Sequence, residues 1–129
     1  MSRRKEEEAI QSIHFAGVTL LELINDVLDL SKLEAGQMKI TPEKLDLRNL
    51  LNDLRKLFAR KLDEKGLTGR IAVPADLPML YLDLLRLRQI LFNLLGNAVK
   101  FTHRGGIRLT VEFHRRDETA GDLTIRVED

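Results

Sequence analysis

The chain has 129 residues, 43% hydrophobic and 32% charged, and its 21 basic and 20 acidic side chains leave a formal charge of +1. That balance excludes the net field that draws nucleic acid or an acidic membrane surface, and the absence of cysteine excludes disulfides and thiolate metal sites. The length suits one core domain with an appendage, no apolar run approaches the ~18 residues of a membrane span, and no signal-peptide core follows the charged start, so a soluble, cytoplasmic chain is expected.

The first predicted element is a long amphipathic helix over residues 4–35. Ile10, Ile13, Gly17, Leu20, Ile24, Val27 and Ser31 recur three and four apart, the spacing of a helix-bundle seam, and Leu21 and Leu28 widen it. Gly36 is a natural stop, because it tolerates the left-handed conformation that closes a helix. A lone helix cannot bury such a seam. The alternative to bundle pairing is that it folds back on its own domain, and either way an unpaired stripe of this size predicts self-association.

Met38-Lys-Ile40 alternates as a short strand would, ended by Thr41-Pro42. Asp46 is placed to cap a second helix over residues 47–65, with Leu47, Leu50, Leu51, Leu54, Leu57, Phe58 and Leu62 at helical spacing and Gly66 as terminator. Residues 70–73 read as a strand, 74–78 as a loop in which two prolines bar regular structure, and 79–82 as another short strand. Asp83 then caps a third helix running to about Lys100. Gly105-Gly106 breaks it, and residues 107–113 and 123–127 alternate as two half-buried strands joined by a polar hairpin turn. The expected architecture is α+β: a bundle-forming helix followed by a two-layer sandwich, helices on one face of a mixed sheet.

The third helix holds the chemistry. At about 100° per residue, Arg86, Asn93, Asn97 and Lys100 fall within roughly 60° of one another, with Leu87, Leu91, Leu94, Leu95 and Ala98 on the other side. Solvent-facing helices favour Glu and Lys; two Asn one turn apart are a poor choice for stability, because Asn competes for backbone hydrogen bonds. They suit ligand duty. An Asn amide oxygen is a neutral, hard donor for a Mg²⁺ that keeps most of its waters, and a Lys one turn on can meet the phosphates such a metal carries. The other reading is a polar face that happens to hold two Asn.

The run Asn93-Leu-Leu-Gly-Asn97-Ala-Val-Lys100-Phe-Thr resembles the N-box of sensor histidine kinases, which belong to the GHKL group of ATPases with the Bergerat ATP-binding fold. The lead-in Asp83-Leu-Leu-Arg86-Leu-Arg-Gln89-Ile-Leu is similar to that family's approach to the N-box helix. Residues 23–36 are similar to the end of its dimerisation and histidine-phosphotransfer hairpin, and residues 123–129 to the strand leading into its Asp-x-Gly-x-Gly box. The resemblance implies that residues 1–36 are the second hairpin helix and 37–129 the N-terminal part of a partial Bergerat domain. It implies that ATP and Mg²⁺ are the ligands, with Asn97 on the metal, Asn93 and Lys100 at the phosphate and metal region, and Asp129 accepting from the adenine amino group. It also implies a histidine autophosphorylated for transfer to a response regulator, and self-association through residues 4–35. Gly96 departs from the acidic or polar residue often found there.

None of His14, His103 or His114 lies in the His-Glu-Leu-Arg-Thr-Pro context of the family's phosphoacceptor, so no catalytic residue is expected among these positions. His14 flanks the helix seam, His103 follows the third helix, and His114 ends a strand beside Arg115 and Arg116 without partners at metal spacing. The arginine-rich hairpin lacks the interleaved aromatics of a nucleic-acid site. The family's Gly-rich boxes and lid are also absent from the sequence, so no kinase activity and weak or undetectable ATP binding are expected of the isolated chain. The alternative is a non-enzymatic dimerisation or interaction module derived from a kinase core.

Overall fold

The computed structural model describes residues 2–129 and divides the chain into two compact units, one ending at Ile40 and the other running from Thr41 to Asp129.

The first unit is essentially one helix, α1 (Arg3–Glu34). Ser2 caps it by accepting from the Lys5 amide at 3.2 Å. At the far end Gly36 takes φ +67° while the Gln37 amide donates back to the Lys32 carbonyl at 2.7 Å, as the predicted glycine stop requires. Ile10, Ile13, Leu20, Ile24 and Val27 are all exposed, the seam lying open along the helix.

The second unit alternates strands and helices: β1 (Glu43–Leu45), α2 (Leu47–Glu64), β2 (Thr68–Ala72), β3 (Leu80–Leu82), α3 (Leu84–Phe101), β4 (Gly106–Arg115) and β5 (Gly121–Glu128). β1 and β3 pair antiparallel, Leu45 opposite Leu80. β2, β4 and β5 form the larger sheet with β4 central, parallel to β2 and antiparallel to β5. Parallel neighbours need a crossover rather than a tight turn, and β3 with α3 supplies it. Gly106 opens β4 where the strands meet closely: a Cβ there would sit 2.6 Å from the Thr68 carbonyl oxygen.

Alternation in β4 puts Ile107, Leu109 and Val111 on one face, all buried. α2 lays Leu47, Leu50, Leu51, Leu54 and Phe58 into the same core, started by Asp46, whose Oδ1 accepts from the Asn49 amide at 3.3 Å, and stopped by Gly66 at φ +66°. α3 completes it, Phe92 meeting Phe58 with ring centroids 5.3 Å apart and tilted by 42°. Aromatic pairs in this range add to the stabilisation from burial. A small apolar cavity of about 40 Å³ remains among Leu54, Phe58, Leu95, Val99, Ile107 and Leu109. The architecture is the expected α+β arrangement.

Two local expectations change. Residues 38–40 are not a strand; the strand begins beyond Pro42, and Ile40 stays exposed, because alternation alone has nothing to pair with until Leu80–Leu82 arrives opposite. The buried face of α3 is also rotated from the predicted one. Phe92 and Val99 are buried beside Leu91, whereas Leu94 is 45% exposed. The sheet and α2 decide which side is inside, and Phe58 calls for Phe92.

Candidate functional site

The site is built on α3, and its position starts with one carboxylate. Asp83 accepts from the Arg86 amide through Oδ1 at 3.1 Å, capping the helix, and from the Thr41 amide through Oδ2 at 2.8 Å. The Thr41 bond, then the Arg86 bond, holds the Asp83 carboxyl below the ordinary aspartate range, with the Arg86 charge adding to it. The first turn of α3 is thereby tied to the segment entering the second unit.

Along the helix, Leu91, Phe92 and Val99 point into the core, and Asn93, Asn97 and Lys100 are exposed on the opposite side. Asn93 and Asn97 stand one turn apart and Lys100 nearly one turn further, so their polar groups line one strip. Lys100 places its ammonium 5.3 Å from the centre of the exposed Phe101 ring, an interaction weakened by water at such sites. Ile90, Leu94 and Phe101, all exposed, border the strip. Arg86 opens it and donates to the Gln89 side-chain oxygen at 3.2 Å; Gln89 is itself buried.

At the other end of α3 the backbone closes on Thr102, whose amide donates to the Ala98 carbonyl at 3.0 Å. Thr102 is buried, and its hydroxyl donates to Asp129 Oδ2 at 3.4 Å, which brings the end of β5 to the end of α3. The carbonyls of Val99 and Lys100 accept from the Nζ of Lys65, at the C-terminus of α2.

The predicted residues Asn93, Asn97 and Lys100 therefore share one exposed face, and Asp129 lies beside the C-terminal end of the same helix. His14, His103 and His114 are scattered and exposed. His114 does have a carboxylate neighbour, Glu112 Oε2 at 3.9 Å, because residues two apart on a strand share a face. The 116–122 hairpin is a closed polar tip: Asp117 accepts from the Thr119 and Ala120 amides, and Arg116 pairs with Asp122 at 3.2 Å. Lys65, Gln89 and Thr102 support the candidate site; Gln89 and Thr102 stand in the motif runs and Lys65 ends the second predicted helix, but the sequence assigns none of the three a role. Thr102 leaves a faint trace, a polar β-branched residue just past the helix; Lys65 acts across 34 residues of chain and leaves none.

Residues 82–129, which contain all of α3, match the family of histidine kinase-, DNA gyrase B-, and HSP90-like ATPases. Over 125 residues, 96% of this chain and 14% of the relative, the sequence is 36% identical to the signal transduction histidine-protein kinase BarA of Escherichia coli strain K12. The structure of full-length ShkA in complex with AMPPNP aligns with a TM-score of 0.64 and 37% identity, covering 84% of this chain and 23% of that one. Histidine kinase ThkA in complex with response regulator protein TrrA shares the fold, with a TM-score of 0.54 and 20% identity over 74% of this chain and 29% of that one. The fold and the α3 segment thus define a member of the histidine kinase, gyrase B and HSP90 class of ATPases. Within that class the chain belongs with the sensor histidine kinases, and its residues 82–129 correspond to a segment of their ATP-binding domain. It spans 10% to 14% of the length of curated relatives it matches, and among the described residues no helix is long and apolar enough to cross a membrane.

Proposed function

We propose that the exposed strip of α3 binds Mg²⁺-ATP for autophosphorylation in a sensor histidine kinase. The observation that carries this reading is the segregation of α3: Asn93, Asn97 and Lys100 are left together in solvent while Leu91, Phe92 and Val99 are buried. Asn97 would hold Mg²⁺ through its amide oxygen, Asn93 and Lys100 would meet the phosphates, and Asp129 would accept from the adenine amino group. The donor set fits such an ion. No group of three or more His, Cys, Asp or Glu side chains converges among the described residues, so a cation on this strip would draw its remaining ligands from phosphate oxygens and water, as Mg²⁺ does. When bound, Mg²⁺ would neutralise charge developing on the phosphates.

In the reaction the bond between the γ-phosphorus and its bridging oxygen breaks, a bond to a histidine nitrogen forms, and ADP leaves; a response regulator aspartate later receives the phosphoryl group. The protein's share is positioning and charge neutralisation. Residues 1–36 would be the second helix of the dimerisation hairpin and 37–129 the first part of the catalytic domain, in the cytoplasm. In a full-length kinase carrying this sequence, Asn97→Ala is expected to abolish labelling from γ-labelled ATP while the circular dichroism spectrum is retained. Wild-type labelling by that variant refutes the assignment.

A second reading, a non-enzymatic association module, is favoured by α1, where Ile13 is 71% and Val27 65% exposed. Sedimentation of the chain with and without residues 4–36 tests it: association should be lost with the helix, and an unchanged mass would exclude this route.

A further inference from the structure

The phosphate end of the proposed site lies at an electrostatically awkward place. Lys100 is in the last turn of α3 and Asn97 directly precedes that turn, where terminal carbonyls lack intrahelical partners and the helix dipole presents negative charge. An anion bound there would face repulsion from the helix end, and a frayed last turn would have to be ordered at the moment of binding.

Lys65 answers both difficulties. Its ammonium donates to the Val99 carbonyl and, at 3.2 Å, to the Lys100 carbonyl, two of the last four acceptors of the helix. Charge-assisted bonds of this kind are stronger than neutral ones, and a cation at a helix C-terminus offsets the dipole. The geometry is anchored from the α2 side. Gly66 at φ +66° turns the chain, the Leu67 amide donates back to the Leu62 carbonyl at 2.8 Å, and Leu67 is buried. Lys65 thus leaves a fixed helix end, reaches across to a second one, and is itself half-buried.

We infer that Lys65 is a positioning residue for nucleotide phosphate: it clamps the last turn of α3 and cancels its negative end, so that Lys100 and Asn97 are ordered and electrostatically free to receive an anion. This rests on the reading of α3 as the nucleotide helix.

The test uses a full-length kinase carrying this sequence, with Lys65→Met, which keeps the apolar stem, Lys65→Arg, which keeps the charge, and Asn97→Ala. In Lys65→Met, hydrogen exchange of amides 99–102 is expected to quicken roughly five- to tenfold, while amides 87–91 at the other end of α3 are unchanged. Affinity for Mg²⁺-AMPPNP should fall about fivefold and affinity for adenosine, which has no phosphate, should not change; Lys65→Arg should restore both behaviours. Exchange that is unchanged, or that rises equally along α3, overturns the clamp, as do equal losses for adenosine and Mg²⁺-AMPPNP. Failure of the underlying reading looks different. Wild-type and Asn97→Ala kinase would then bind Mg²⁺-AMPPNP alike, and the proposal would fall with that reading whatever the exchange data show.

Discussion

Thr102 and Asp129 meet across the end of the second unit: the buried threonine hydroxyl donates to the Asp129 carboxylate at 3.4 Å, joining the C-cap of α3 to the residue that follows β5. Removing the hydroxyl without changing the shape, by Thr102→Val, leaves a buried methyl where a donor had been. A hydrogen bond of this kind contributes about 1 kcal/mol, so Thr102→Val should lower unfolding free energy by about that amount in urea, and Thr102→Ser by less. A larger loss in Thr102→Ser than in Thr102→Val would show that methyl packing, not the hydroxyl, matters there.

The rotated core face of α3 gives a sharper contrast. Phe92 is buried against Phe58, whereas Leu94 is 45% exposed. Large-to-small changes in a core cost about 3–5 kcal/mol for Phe, and exposed positions far less. Phe92→Ala should therefore destabilise the chain severely and Leu94→Ala by under about 1 kcal/mol. Denaturation midpoints of the two variants decide it; similar losses would return Leu94 to the core seam that sequence periodicity predicts.

Asn97 should behave in the opposite way to a core residue. It is an exposed asparagine inside α3, one turn before its end, and alanine is the better helix former by roughly 0.5 kcal/mol. In a full-length kinase carrying this sequence, Asn97→Ala is expected to leave the melting temperature unchanged or slightly raised while Mg²⁺-nucleotide binding is lost. A marked fall in melting temperature would show that the side chain serves the fold.

Acid should expose the role of Asp83. Its carboxyl titrates below the ordinary value of 3.8 because the Thr41 and Arg86 amides donate to the ionised form. A depressed carboxylate stabilises the fold fully above its unfolded value, and the contribution disappears as pH falls through the folded value. Asp83→Asn has one acceptor oxygen where the wild type has two, so it cannot serve both amides in the same way. The stability gap between wild type and Asp83→Asn should be constant above about pH 5 and close as the pH drops below 3.8. A gap that persists unchanged at low pH would mean that shape, not charge, sets the cap.

The sequence by itself determined the helices, their caps and the composition of the polar strip. Asp46 and Asp83 cap, and Gly36 and Gly66 terminate, because each acts within a turn or two of its own position. Asn93, Asn97 and Lys100 align for the same reason, since helical periodicity carries them to one face. Tertiary structure alone decided which apolar side of α3 is buried, because that depends on where Phe58 and β4 lie. It also decided that the first short strand is Glu43–Leu45, through pairing with Leu80–Leu82. The contacts of Lys65 with α3 and of Thr102 with Asp129 belong to the same class. They join groups 27 to 35 residues apart, and no local propensity encodes a bond whose two ends meet only after the sheet has formed.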